Sequence, residues 1–295
     1  MNASDIPRVD FYKKANHPIE FEIMDLEGLF ARGKKISPRI DHPHRVKFNT
    51  IIFITGGKGT HHIDFQPYPF SQGSLIFTSV GQVHAFDIQP GVKGYLVLFT
   101  RDFLEKNLIH SDVVSLYRLY NHQMHAPVIQ PQETEGVGFN HLFKEIMREY
   151  GNSEFFAKEE ILRLFLKMLL LKAERIKRTV TTEQKNTEWL IRFGHFKEHL
   201  EKHIVSTRSV TEFAGMLNIS AKHLNTICKA VSGETAKQFI DNYMILEIKR
   251  LLATSDSSVQ EISYDFGFGE PTNFVKYFKK HSGKSPSQFR KALTN

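Results

Sequence analysis

From Phe48 to Phe99 short apolar runs alternate with turn-forming residues, as in NTIIFITGGKGTHHIDF, QGSLIFTSVGQVHAFDI and GYLVLFT. Runs of this length and spacing predict the strands of a sandwich or barrel, and Gly56, Gly57 and Gly59 predict a hairpin. After Arg101 the pattern turns helical, at RDFLEKNLI, GFNHLFKEIMREY and KEEILRLFLKMLLLKAERIKR. In the last of these Leu162, Leu166, Leu169, Ala173 and Ile176 step by four, three, four and three, the spacing of a coiled-coil seam. Ile161, Leu164, Phe165, Met168 and Leu171 widen the apolar face, which predicts one side packed on the barrel and the seam paired with a second copy of the chain, burial on three sides within one chain being the alternative. TVTTEQKN is polar and aperiodic and marks a linker.

From Thr187 onward every segment is helical and the chain repeats itself. SVTEFAGMLNI at 209–219 matches SVQEISYDFGF at 258–268, and CKAVSGETAKQF at 228–239 matches FKKHSGKSPSQF at 278–289, with one residue inserted between the two halves. Ser209 with Glu212, and Ser258 with Glu261, read as capping boxes at two helix starts. Val210, Phe213, Ala214 and Leu217 form one apolar face, and Val259, Ile262 and Phe266 its twin. Asn218 and Gly267 follow as left-handed turn residues, and new helices restart at Ser220 and around Pro271. Each copy is therefore helix, tight turn, helix, the unit whose second helix enters a major groove.

Leu224, Ile227, Cys228, Phe274 and Phe278 are expected inward on the second helices. That leaves Lys222, Asn225 and Thr226 in the first copy, and Thr272, Asn273 and Lys276 in the second, to reach base edges, with Lys279 and Lys280 suited to phosphates. The segment KQFIDNYMILEIKRLLATSD reads as one connecting helix ~30 Å long, close to the ~34 Å between successive major-groove faces.

Charge agrees with a polyanionic partner. The net charge is +7, and no Asp or Glu follows Glu270, whereas Lys276, Lys279, Lys280, Lys284, Arg290 and Lys291 all do. The single cysteine, Cys228, excludes an intramolecular disulfide. No run approaches the ~18 apolar residues of a membrane span, and the start MNASDIPRVDFYKK has no apolar signal core. A cytoplasmic protein with no membrane partner is expected.

The C-terminal hundred residues resemble the DNA-binding domain of the AraC/XylS family of bacterial transcription regulators. The resemblance rests on QEISYDFGFGEPTNFVKYFKKHSGKSPSQFRKAL at 260–293, in the order IxxxxGF then FxxxFKKxxGxSPSQFR. It places the family's base-reading positions on Lys222, Asn225, Thr226, Thr272, Asn273 and Lys276. The connector departs from the pattern at Met244, where an Arg is usual, and at Ile248, where a small residue is. Through PHRVKF, GGKGTHHIDF and GQVHAF the N-terminal half resembles the cupin-like sensor domain of such regulators. That resemblance implies a small effector inside the barrel, dimerising helices after it, and RNA polymerase as a partner at the promoter.

The expected architecture is α+β and multidomain. Residues 1–178 form a cupin-like β-barrel with C-terminal dimerisation helices at about 101–178, and 179–188 form a linker. Residues 189–295 form an all-α DNA-binding domain, with helix-turn-helix units at about 209–232 and 258–282 joined by a long helix at 236–254. Inside the barrel Arg39, His44, Phe53, His84 and Phe86 are the candidate effector contacts. Histidines 42, 44, 61, 62 and 84 invite a metal, but His61 and His62 point to opposite faces of a strand, and Gln66 and Gln72 stand where a cupin enzyme carries a carboxylate. No metal and no cofactor are expected, and with no phosphate loop, GxSxG elbow or Cys–base pair there is no catalytic constellation. A metal-dependent cupin enzyme fused to DNA-binding repeats and a non-specific architectural DNA binder are the competing readings.

Overall fold

The computed structural model describes residues 8–9, 19–33, 41–87, 91–106, 119–120, 126–154, 156–180 and 187–293. The chain divides into two compact units, one ending at Glu183 and one starting at Gln184. Arg39 and most of the segment TVTTEQKN lie outside the described residues.

The N-terminal unit holds two five-stranded sheets. In chain order its strands are β1 (Arg8–Val9), β2 (Phe21–Asp25), β3 (His44–Val46), β4 (Asn49–Gly56), β5 (Lys58–Ile63), β6 (Gln66–Ser71), β7 (Leu75–Thr78), β8 (Val83–Asp87), β9 (Lys93–Phe99) and β10 (Val128–Ile129). One sheet runs β1-β3-β8-β5-β6 and the other β10-β7-β4-β9-β2. The glycine cluster at 56–59 does not make a hairpin. β4 pairs with β7 and β9, whereas β5 pairs with β6 and β8, so the chain changes sheet at Gly57. A glycine is required there because φ is +80° and a Cβ would lie 2.8 Å from the Gly91 carbonyl oxygen. The true hairpin is β5–β6, closed by Asp64 and Phe65 in positive φ.

Side chains of β4 alternate between two cores, as a strand's period of two dictates. Ile52 and Ile54 join Ile63, Phe70 and Phe86 of the opposite sheet. Ile51 and Phe53 join Phe21, Phe77 and Phe99 beneath the helices. The helices of this unit are α1 (Leu26–Gly33), which packs on the first of these cores through Leu26, Leu29 and Phe30, and α2 (Arg101–Glu105), α3 (Pro131–Thr134), α4 (Phe139–Gly151) and α5 (Lys158–Val180), of which α2, α4 and α5 cover the second.

Helix α5 corrects the dimer seam. Leu162, Leu166, Leu169 and Ala173 are fully buried and Ile176 nearly so, all within the chain's own core against α4 and the sheet. Arg163 Nε donates to the Phe103 carbonyl at 2.9 Å and Lys177 Nζ to that of Ala126 at 3.0 Å, fixing the helix's rotation. What this rotation leaves exposed is Leu164, Met168 and Leu171. The four-three spacing marks a buried stripe, and its partners lie in the chain's own core, α4 foremost among them.

The C-terminal unit comprises α6 (Thr187–His203), α7 (Val210–Met216), α8 (Ala221–Ser232), α9 (Ala236–Thr254), α10 (Val259–Asp265), α11 (Pro271–Ser282) and α12 (Pro286–Leu293). α9 is buried around most of its circumference, including Phe239, Ile240, Met244, Ile245, Ile248 and Leu252. Met244 and Ile248, the two departures from the family pattern, are therefore core residues. Arg290 of α12 donates to the carbonyls of Leu252 and Ser255, closing the free C-terminal end of α9. Among the described residues no helix is long and apolar enough to cross a membrane.

Two leucines test the orientation of α5. Leu166→Ala should cost the N-terminal unit about 2–5 kcal/mol in denaturant unfolding, whereas Leu164→Ala, at 55% exposure, should change it by no more than about 0.5 kcal/mol.

Candidate functional site

Both helix-turn-helix units are built by the same hydrogen bonds. In the first, Ile219 N–H donates to the Ala214 carbonyl and Asn218 N–H to that of Gly215; in the second, Phe268 N–H donates to Ser263 and Gly267 N–H to Tyr264. This is the paired closure of a Schellman motif, and it needs a left-handed residue, supplied by Asn218 at φ 55° and Gly267 at φ 69°. The helix starts differ slightly. Ser258 and Glu261 form a full reciprocal box, but the Ser209 N–H donates instead to the Thr207 hydroxyl, leaving Glu212 without that role.

The second helices, α8 and α11, start fifty residues apart, whereas the left-handed turn residues are forty-nine apart. The inserted residue therefore lies in the second turn, and it changes which side chains correspond. Lys222 and Thr226 match Thr272 and Lys276, and all four are exposed. Asn225, however, matches the half-buried Val275, and its Oδ1 accepts from the Ala236 N–H at 3.1 Å. Its acceptor oxygen thus caps the first turn of α9, so Asn225 serves as a joint between helices and is withdrawn as a base reader. The counterpart of the exposed Asn273 is His223, half-buried with its ring centroid 6.4 Å from that of Trp189. Indexing both helices from their N-caps would have found it; matching residue types did not. Lys279 and Lys280 are exposed in the last turn of α11. Together Lys222, His223, Thr226, Thr272, Asn273 and Lys276 form two polar faces near helix N-termini, and α9 packs against both units.

In the N-terminal unit the candidate effector contacts separate. His44, His84 and Phe86 lie together, with His44 and His84 directly paired across β3 and β8. Phe53 stacks instead on Phe143 of α4, at 5.3 Å between centroids, so it is removed from the space between the sheets. It borders a cleft of about 510 Å³ on the helix side, with Gln72, Gly73, Thr134, Gly138 and Phe139. A further histidine completes the inter-sheet cluster: His61 Nε2 and His84 Nδ1 are 3.0 Å apart. His44 Nδ1 donates to the His42 carbonyl.

Burial, followed by the neighbouring imidazoles, pulls His61 down to about 3 and His84 well below its usual range, so the pair is neutral. One shared proton then leaves one ring offering an N–H and the other a lone pair, on His61 Nδ1 and His84 Nε2, buried atoms with no hydrogen-bond partner among the described residues. The nearby carboxylate of Asp64 is engaged by the Gln82 amide at 2.7 Å and the Val83 N–H at 3.2 Å. Among the described residues no group of three or more His, Cys, Asp or Glu is placed to hold a metal.

A duplicated helix-turn-helix domain in one chain with a double-sheet domain, whose interior holds polar atoms without a partner among the described residues, defines a ligand-responsive DNA-binding regulator. Comparison with known proteins gives the family. Residues 26–166 match an AraC-like ligand binding domain and residues 213–292 a helix-turn-helix domain. The chain is 24% identical over 262 residues to the HTH-type transcriptional activator RhaS of Klebsiella pneumoniae (strain 342), covering 86% of this chain and 91% of that one. It is 23% identical over 290 residues to RhaS of Salmonella schwarzengrund (strain CVM19633), covering 96% and 95%. Among solved structures, ToxT from Vibrio cholerae aligns over 94% of this chain and 100% of its own at 13% identity, with a TM-score of 0.45. The chain belongs to the AraC family of transcription regulators.

The histidine cluster sets a pH dependence. Unfolded imidazoles bind protons near 6.5, while the folded His61 does so only near 3, so between those values the unfolded chain holds more protons and stability falls as pH falls. The unfolding midpoint of the N-terminal unit should drop from pH 7 to about pH 5, and more shallowly in His61→Gln; a flat profile would show that these imidazoles titrate as if exposed.

Proposed function

We propose that the protein is a ligand-responsive transcription activator that reads two adjacent major-groove segments, through Lys222, His223 and Thr226 in one and Thr272, Asn273 and Lys276 in the other. The observation that carries this reading is the twice-built turn, which presents an exposed polar face near the N-terminus of each second helix. Lys279 and Lys280 add phosphate contacts, consistent with the acid-free stretch after Glu270. The name shared by the RhaS relatives, transcriptional activator, supports activation and hence RNA polymerase as a partner.

The functional division assigns residues 1–178 to sensing, 179–188 to linking and 189–295 to DNA. The effector sits between the two sheets beside His44, His84 and Phe86, where it pairs with His61 Nδ1 and His84 Nε2, which have no partner among the described residues. Two copies associate through Leu164, Met168 and Leu171 of α5, an apolar stripe with helical spacing. The effector acts by binding one arrangement of the two protomers more tightly than the other. No catalysis is assigned to either unit, and the setting is cytoplasmic.

Selection of bound duplexes from a random pool tests the DNA reading. Lys276→Ala should relax preference at one position of the second half-site at a cost of about 1–3 kcal/mol. Lys279→Ala and Lys280→Ala should weaken all sequences alike and each lower the salt slope by about 1. If Lys276→Ala weakens every sequence equally, Lys276 touches only the backbone. For the dimer, combined Leu164→Ser, Met168→Ser and Leu171→Ser should shift sedimentation from dimer to monomer while the chain keeps its folded circular dichroism spectrum and loses any concentration dependence of its unfolding midpoint; a dimer that survives the triple change would place the interface elsewhere.

A further inference from the structure

The two reading helices are fastened to the connector by different chemistry. In the first unit Leu224, Ile227 and Cys228 of α8 are all fully buried and Asn225 Oδ1 accepts from the Ala236 N–H, so apolar packing and one uncharged hydrogen bond seat that helix. In the second unit the position of Ile227 is taken by Tyr277, half-buried, whose hydroxyl donates to Asp241 Oδ1 of α9 at 2.9 Å. The same oxygen accepts from Lys237 Nζ at 2.6 Å. Asp241 is 8% exposed, a carboxylate kept inside a joint between helices. An apolar residue there would pack at least as well without the desolvation penalty, but it would impose no direction on the neighbouring helix.

The Tyr277 ring is held from a second side. It packs on Phe268 at 5.5 Å between centroids, and Phe268 carries the Arg208 guanidinium 4.4 Å from its own centroid. Arg208 belongs to the segment between α6 and α7, so this contact joins the first unit to the turn of the second. The same segment approaches the turn closely: a Cβ on Gly267 would lie 3.3 Å from the Val205 carbonyl oxygen. Burial first, and the Asp241 carboxylate second, raise the Tyr277 hydroxyl beyond its ordinary range, so it remains a donor across physiological pH.

We propose that Asp241 and Arg208 are positioning residues for the second reader: by holding Tyr277 from two sides they fix the pitch of α11, and so decide which bases Thr272, Asn273 and Lys276 reach. This rests on the reading of α11 as the base-reading helix given above. Tyr277→Phe removes only the hydroxyl and keeps the ring contacts, which makes it the cleanest variant. In random-pool selection with the full chain, Tyr277→Phe should lose about tenfold in affinity for the wild-type site, the scale of one hydrogen bond to a charged acceptor. The base preference should flatten in the second half-site while the first half-site keeps its profile. Asp241→Asn retains an acceptor oxygen and should keep most of the second-half preference, whereas Asp241→Leu should lose it. Arg208→Ala should flatten the same half.

An unchanged second-half profile in Tyr277→Phe, or equal weakening of both halves, overturns the proposal, since a merely structural bond would not act on one half alone. Lys276→Ala run in parallel separates the two failures. If it alters the second half and Tyr277→Phe does not, the positioning role falls while base reading stands; if Lys276→Ala leaves the second half unchanged, both fall.

Discussion

Everything in the C-terminal unit depends on the burial of one helix, α9, on nearly all sides. A surface helix shows one apolar stripe, but this one buries Phe239, Ile240, Tyr243, Met244, Ile245, Ile248 and Leu252, which no single face can carry. It must therefore serve both units as a shared core. At about 1.5 Å per residue its nineteen residues span ~28 Å. A rod of that length packed at both ends converts two small three-helix clusters, each marginal alone, into one body with two polar faces at a set separation. Its ends are finished accordingly: Thr235 and Gln238 cap the start reciprocally, Asn225 adds an acceptor from α8, and Arg290 closes the other end.

How much of this was legible in the sequence depended on whether local rules or tertiary packing decided the matter. The turns were legible because a left-handed residue after a short apolar helix admits few alternatives, and Asn218 and Gly267 both take that conformation. The connector was legible from its length and apolarity. The corresponding positions on the two second helices were not. One residue inserted in the second turn shifts everything after it, and Asn225, attractive as an adenine-binding amide, turns toward α9 instead. Residue type pointed to chemistry there, but phase along the helix decides exposure.

The N-terminal unit shows the same limit more sharply. Alternation along β4 tells that Phe53 shares a face with Ile51 and not with Ile52, but not which face meets the other sheet. Along α5 the spacing of Leu162, Leu166 and Leu169 marks a seam without saying whether its partner is another chain or the protein's own core, and here the chain's own core, with α4, fills it. The glycines at 56–59 signal a reversal, but a turn between partners and a corner between sheets need the same backbone freedom. The histidine cluster spans β3, β5 and β8, strands brought together only by tertiary pairing. Its neutral imidazoles leave one donor and one acceptor inside the fold, a polar demand that an apolar ligand could not meet.

A shared core in α9 would make the C-terminal unit one rigid reader of two adjacent groove segments, and the affinity of the full chain for a selected two-part site, followed as base pairs are inserted between the halves, measures that rigidity. A rigid reader predicts that an insertion of about five base pairs, half a helical turn, puts the second half on the opposite face of the duplex. Binding should then fall to the level of a site whose second half is scrambled. Affinity that stays constant as the spacing changes would mean that the two units move independently, and the account of α9 as a shared, fixed core would be contradicted.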